Sequence, residues 1–88
     1  MSAPRTPTKF DKQLGGILRL ARLKNDLSQK QIGELCSVSL QQIQKYERGI
    51  NRLSVERFII LCKAVNLCPI KTIADATAIL EREINEKI

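Results

Sequence analysis

The pattern Ser-x-x-Gln occurs twice in quick succession, at Ser28 to Gln31 and again at Ser39 to Gln42. Each is a capping-box signal, in which the serine hydroxyl accepts the backbone N–H three residues on and the glutamine reaches back to the serine's own N–H. A chain that starts a helix twice so close together, with Ser37-Val38-Ser39 between, must form two short helices separated by about three residues. The first carries Ile32, Leu35 and Cys36, and the second carries Ile43 and Tyr46. The second must end near Arg48-Gly49, where glycine supplies the left-handed conformation that follows a helix. Helices joined so tightly cross at roughly 90–120°. Filling that angle calls for apolar side chains at Ile32, Leu35, Val38 and Ile43. It also calls for a very small residue where the second helix comes closest to the first, which Gly33 provides. The turn favours a residue tolerant of positive φ, and Ser37 adopts that conformation only with strain.

The remaining segments are helical too. Thr8-x-x-Asp11 is a further capping box, and Phe10, Leu14, Ile17, Leu18 and Ala21 follow at helical spacing to near Asn25. Gly15 and Gly16 cost that helix about 1 kcal/mol each relative to alanine, which either close packing against them or a frayed first turn accounts for. Ser54 caps a fourth helix with Val55, Phe58, Ile59, Leu61, Cys62 and Val65 inward, closed by Asn66. After Leu67-Cys68-Pro69, the residues Ile73, Thr77, Leu80, Ile84 and Ile88 recur at helical spacing and define a last amphipathic helix. Either this stripe folds back on the core with Ile70 and Ile73 as anchors, or it pairs with a second copy, and the two are compatible. Met1 to Pro7 holds two of the three prolines and reads as a flexible arm. No repeat, low-complexity tract or strand pattern is present.

Composition narrows the chemistry. The 88 residues make one small domain and leave no room for a second, catalytic one. The chain contains no histidine, no glycine-rich phosphate loop and no paired carboxylates on one helix face, so neither imidazole catalysis nor any other enzyme chemistry is expected. Cys36, Cys62 and Cys68 match neither a disulfide framework nor a metal knuckle, so no metal and no cofactor are expected. Cys36 and Cys62 read as small buried residues and Cys68 as more exposed. Thirteen basic and five acidic side chains fall in residues 1–71, against two basic and four acidic in 72–88. That basic body points to a polyanionic partner. The longest apolar run, Phe58 to Cys62, is far too short to span a membrane, and Met1 to Thr8 lacks a signal-peptide core. The expectation is a cytoplasmic, nucleoid-associated protein with no membrane partner.

The string LSQKQIGELCSVSLQQIQKYERG, Leu27 to Gly49, resembles the helix-turn-helix domains of phage repressors and Cro proteins, the xenobiotic-response-element family of bacterial regulators. The family pattern, approximately LSQ-x-x-LA-x-x-x-G-V-S-x-x-x-I-x-x-[YWL]-E-x-G, is met at Leu27, Ser28, Gln29, Val38, Ser39, Ile43, Tyr46, Glu47 and Gly49. It is departed from at Ile32, Gly33 and Ser37, where the family has Leu, Ala and Gly. The likeness extends into the first helix (Leu14 to Lys24) and the fourth (Ser54 to Leu67), covering about residues 10–68. The text SLQQIQKYERGINRLS resembles in particular small standalone alphaproteobacterial members. The resemblance implies an all-α, five-helix, lambda-repressor-like DNA-binding domain with the helix-turn-helix at helices 2 and 3. It would occupy residues 9–68, after an arm at 1–8 and before a C-terminal helix at 69–88 that serves dimerisation.

The residues agree with this. Leu40, Gln41, Gln44 and Lys45 lie away from Ile43 and Tyr46, toward the start of the third helix. Glutamine can bond an adenine edge bidentately, lysine can reach guanine O6 or N7, and leucine can lie against a thymine methyl. The plain alternative is that they are exposed helix formers. Gln29 stands at a helix N-terminus suited to a phosphate, and Lys30, Ser39, Gln42, Arg48, Asn51 and Arg52 suit the flanking DNA backbone. The resemblance implies a partly buried ion pair between Arg22 and Glu47. Tyr46 reads as core with its hydroxyl near the surface. Ile73, Thr77, Leu80, Ile84 and Ile88 are the expected dimerisation residues, and Arg5 and Lys9 of the arm can follow the duplex. The expected function is a sequence-specific, double-stranded-DNA-binding transcriptional regulator, a repressor acting as a homodimer on a palindromic operator. RNA polymerase or another protein is a possible further partner. The alternative is an antitoxin-like or antirepressor-like module that sequesters a partner through its C-terminal helix.

Overall fold

The computed structural model describes residues 6–87, so Arg5 of the arm and Ile88 of the terminal stripe lie outside the described residues. Five helices follow one another: α1 (Lys9–Lys24), α2 (Gln29–Cys36), α3 (Leu40–Glu47), α4 (Val55–Ala64) and α5 (Pro69–Lys87). The described residues contain no strand.

Local hydrogen bonding sets where the helices start. Thr8, Ser28, Ser39 and Ser54 accept from the N–H groups of Asp11, Gln31, Gln42 and Arg57 at 3.0–3.1 Å. At Thr8 and Ser28 the box closes reciprocally, through Asp11 Oδ2 and Gln31 Oε1. At Ser39 only half of the expected box forms, because the Gln42 side chain is spent elsewhere. α2 ends on Ser37 at φ 56°, ψ 44°. The Ser37 and Val38 N–H groups both return to the Gly33 carbonyl. A Cβ on Gly33 would stand 2.5 Å from the Val38 carbonyl oxygen, so it is the turn backbone, more than α3 itself, that demands a bare residue there.

The core gathers Leu18 and Ala21 of α1, Ile32 and Cys36 of α2, Ile43 and Tyr46 of α3, and Phe58, Leu61 and Cys62 of α4, with Val65 just beyond. Cys62 is wholly enclosed, and burial pushes its thiol up to about 11; burial also raises that of Cys36. Burial thus favours the protonated, less nucleophilic thiol at both, whereas Cys68 is exposed. Asn25 ties α1 to the end of α4 by donating to the Ala21 and Val65 carbonyls at 2.7 and 2.9 Å. Its own carbonyl accepts from Asn66 at 2.8 Å.

Several side chains expected inside are outside. Leu35 is 66% exposed. The inward sector of α2 is set by Ile32, Gly33 and Cys36, and at 100° per residue Leu35 falls about 100° from its centre. On α4, Ile59 is likewise rotated away from Phe58 and Cys62, and Val55 precedes the packed stretch, which begins at Phe58; both are exposed. On α5 the expected anchors Ile70 and Ile73 are exposed, Ile70 at 82%, and the residues packed inward are Thr72 and Ala76, with Ile79 and Glu83 half-buried behind them. Small side chains let α5 lie close upon α1 and α4. Thr72 enters the interior because its hydroxyl donates to the Cys68 carbonyl at 2.8 Å. The bulkier stripe of Ile70, Ile73, Leu80 and Ile84 therefore turns about 100° away, toward solvent.

Candidate nucleic-acid interface

The seat of α3 is built from backbone as much as from side chains. Gly15 of α1 abuts the end of α3, where a Cβ would fall 2.5 and 2.6 Å from the Tyr46 and Glu47 carbonyl oxygens. Gly16, its neighbour, faces open space. Past α3, Gly49 adopts φ +74°, and a Cβ there would strike the backbone of Asp11 and Lys12 within 2.8 Å. Close packing is thus the reason for Gly15 and not for Gly16.

A charged lock completes the seat. Arg22 Nε and Nη2 donate to Glu47 Oε2 and Oε1 at 2.7 and 3.0 Å, and Arg22 Nη1 donates to the Leu27 carbonyl at 2.7 Å. Both side chains are almost fully buried. Gln29 Nε2 adds a third donor to Glu47 at 3.1 Å, so α1, the start of α2 and the end of α3 meet on one carboxylate. A bidentate pair in which all three guanidinium nitrogens donate a hydrogen bond meets the condition under which a buried charge is tolerated.

This scaffold presents the outer face of α3. Leu40, Gln41 and Lys45 are exposed and Gln44 is half-buried; the side chains of Gln41, Gln44 and Lys45 make no hydrogen bond among the described residues. Lys30, Ser39, Arg48 and Arg52 are exposed around them, and Arg52 lies 3.9 Å from Asp11. Among the described residues Lys30, Lys45 and Arg48 form no ion pair, so their field is turned outward. A short helix is held against a core, with the polar side chains of its outer face, Gln41, Gln44 and Lys45, uncommitted and a cationic rim about it.

A helix-turn-helix family model, of the Cro/C1 type, matches residues 18–73. The chain belongs to this helix-turn-helix family. An uncharacterized HTH-type transcriptional regulator of Rickettsia conorii is 40% identical over 58 residues, which are 66% of this chain and 46% of that protein. An uncharacterized transcriptional regulator in the ATPase CF(0) region of Rhodospirillum rubrum is 41% identical over 64 residues, 73% of this chain and 59% of that protein. The chain spans about half the length of the curated relatives it matches. Among solved structures, the clp gene regulator ClgR of Corynebacterium glutamicum superposes with a TM-score of 0.74 at 20% identity, covering 93% of this chain and 87% of that one. The restriction-modification controller protein C.AhdI of Aeromonas hydrophila gives 0.65 at 24% identity, covering 69% and 92%. These structures share the fold.

Within the helix-turn-helix frame, the other anticipated residues divide. Gln29 and Gln42 both turn their amides inward, Gln29 onto Glu47 and Gln42 onto Tyr46 and Asn51. On α5, Ile73, Thr77, Leu80 and Ile84 are exposed, with the Thr77 hydroxyl donating to the Ile73 carbonyl. Sequence reasoning missed that Ile70 and Ile73 continue into an open apolar groove with Phe10, Leu14, Val55 and Ile59. No described helix is long and apolar enough to cross a membrane.

Proposed function

We propose that the chain reads duplex DNA with α3 and regulates transcription, as a homodimer on a palindromic operator and, by occupying a promoter, as a repressor. The observation that carries this reading is the contrast between Gln41, Gln44 and Lys45, whose side chains are uncommitted, and the hydrogen-bonded Arg22–Glu47–Gln29 lock that holds their helix. Rigid presentation of free donors and acceptors is what reading base edges in a major groove requires. Lys30, Arg48 and Arg52 supply the phosphate-facing charge, and each phosphate neutralised adds to the salt dependence. The groove lined by Phe10, Leu14, Val55, Ile59, Ile70 and Ile73 supports a dimer, and a palindromic operator would require its two α3 helices about 34 Å apart, one turn of duplex.

Selection from random duplex DNA at roughly physiological salt, with the wild type and a Gln41→Ala, Lys45→Ala double variant, tests the reading. A palindrome enriched by the wild type alone is the expected result. Enrichment by neither folded protein would sink it and bring forward sequestration of a protein partner, for which the same groove is available. For the dimer, Ile70→Glu with Ile73→Glu is expected to yield a folded monomer by sedimentation equilibrium. An unchanged mass would remove this surface from the interface.

A further inference from the structure

Three side chains at the edge of α3 form a chain of hydrogen bonds. Gln42 Nε2 donates to Tyr46 Oη at 3.0 Å, and Gln42 Oε1 accepts from Asn51 Nδ2 at 3.3 Å. An amide offers one carbonyl and two N–H donors, so the Gln42 carbonyl and one of its hydrogens are committed within the protein. The Tyr46 ring lies in the core beside Leu18, Ile32, Ile43, Leu61 and Val65. Its hydroxyl reaches the half-buried Gln42 and Asn51, in the segment that carries the exposed Arg48 and Arg52. Since the phenol accepts from Gln42, it keeps its own hydrogen, for which the described residues provide no acceptor. Accepting a bond also polarises the O–H and strengthens it as a donor. Tyr46 keeps 8% of its surface exposed, and a polarised donor with nothing internal to bond, two residues from the exposed Arg48, is complementary to an anionic oxygen.

We infer that Tyr46 contacts a DNA backbone phosphate through its hydroxyl, and that Gln42 is the positioning residue that aims it. The inference rests on the duplex-reading proposal above. It changes the role of Gln42 from a phosphate ligand to the support of one, and it takes Tyr46 from a purely packing role into the interface. Its thermodynamic signature is distinctive. A phenol is neutral, so its loss releases no fewer counterions, whereas loss of an arginine on a phosphate lowers the salt slope by about one. A backbone contact also carries no sequence information, so its loss weakens selected and random duplexes alike.

The test titrates the full chain with its selected duplex and with a random duplex over a range of salt. Tyr46→Phe, which keeps the ring, is expected to bind both about tenfold more weakly with an unchanged salt slope, as loss of a hydrogen bond to a charged group would give. Arg48→Ala is expected to flatten the slope. The decisive arm walks a single methylphosphonate along one half-site. The wild type should be penalised at a phosphate where Tyr46→Phe is not, and Gln42→Ala should lose that same sensitivity without adding to the effect of Tyr46→Phe. Tyr46→Phe binding like the wild type, or sharing its penalty at every phosphate, overturns the inference and leaves the duplex reading intact. A wild type that selects no duplex overturns both. Thermal melting of each variant separates a lost contact from a lost fold.

Discussion

The α3 seat and the α5 groove meet on α1, and they are finished to very different degrees. At the seat the charged groups are paired inside the chain: Glu47 accepts from Arg22 and Gln29, Arg22 also donates to the Leu27 carbonyl, and glycine backbones fill the closest approaches. At the groove, Val55, Ile59, Ile70 and Ile73 stand exposed, although α5 itself is held down by Thr72 and Ala76. Specification of the first region is complete in one copy of the chain. The second holds apolar surface that nothing among the described residues covers, and a partner that covered it would add to stability by mass action.

Breaking the seat should have the largest effect. Glu47→Ala leaves the Arg22 guanidinium buried and unpaired, costing about 3–5 kcal/mol. At about 4–8 °C per kcal/mol for a domain of this size, the circular-dichroism melt should fall by more than about 10 °C. The adjacent glycines sharpen the argument. Gly15→Ala drives a methyl into two carbonyl oxygens and is expected to cost about 1–3 kcal/mol. Gly16→Ala enters open space within a helix and is expected to stabilise by up to about 1 kcal/mol. Urea titrations showing the same sign for both would remove the close approach from the account. Ser37→Gly relieves the left-handed φ of 56° and should raise stability by about 0.5–1 kcal/mol in the same assay. Smallest of all, Val55→Ser with Ile70→Ser should move the unfolding of dilute protein by less than about 0.5 kcal/mol, since both side chains are already in water. A loss comparable to that of Glu47→Ala would erase the contrast between the two regions.

The parts of the fold that local chemistry decides are legible in the sequence alone. Caps at Thr8, Ser28 and Ser54, the positive φ at Ser37 and the glycine after α3 each follow from a few adjacent residues. What could not be read was the direction of each apolar stripe. Periodicity reports that a helix has an apolar face, but not which neighbour covers it, and α5 carries two stripes about 100° apart. The one chosen by packing is marked by Thr72 and Ala76, whose weak hydrophobicity conceals it beside the isoleucines. The face of α3 was legible as polarity. The inward turn of Gln29 was not, because it depends on a carboxylate eighteen positions away. For Gln42 the spacing of four to Tyr46 was the available signal.

The bare-backbone seat under α3 also separates what can change in this chain from what cannot. Alteration at Gly15 or Gly49 runs into main-chain atoms, which no rotamer can relieve, whereas the exposed side chains of Gln41 and Lys45 make no hydrogen bond or ion pair among the described residues. On the proposed reading, descendants of this sequence can therefore exchange one binding preference for another by a few outward substitutions at little cost in stability, while the platform that carries them remains frozen.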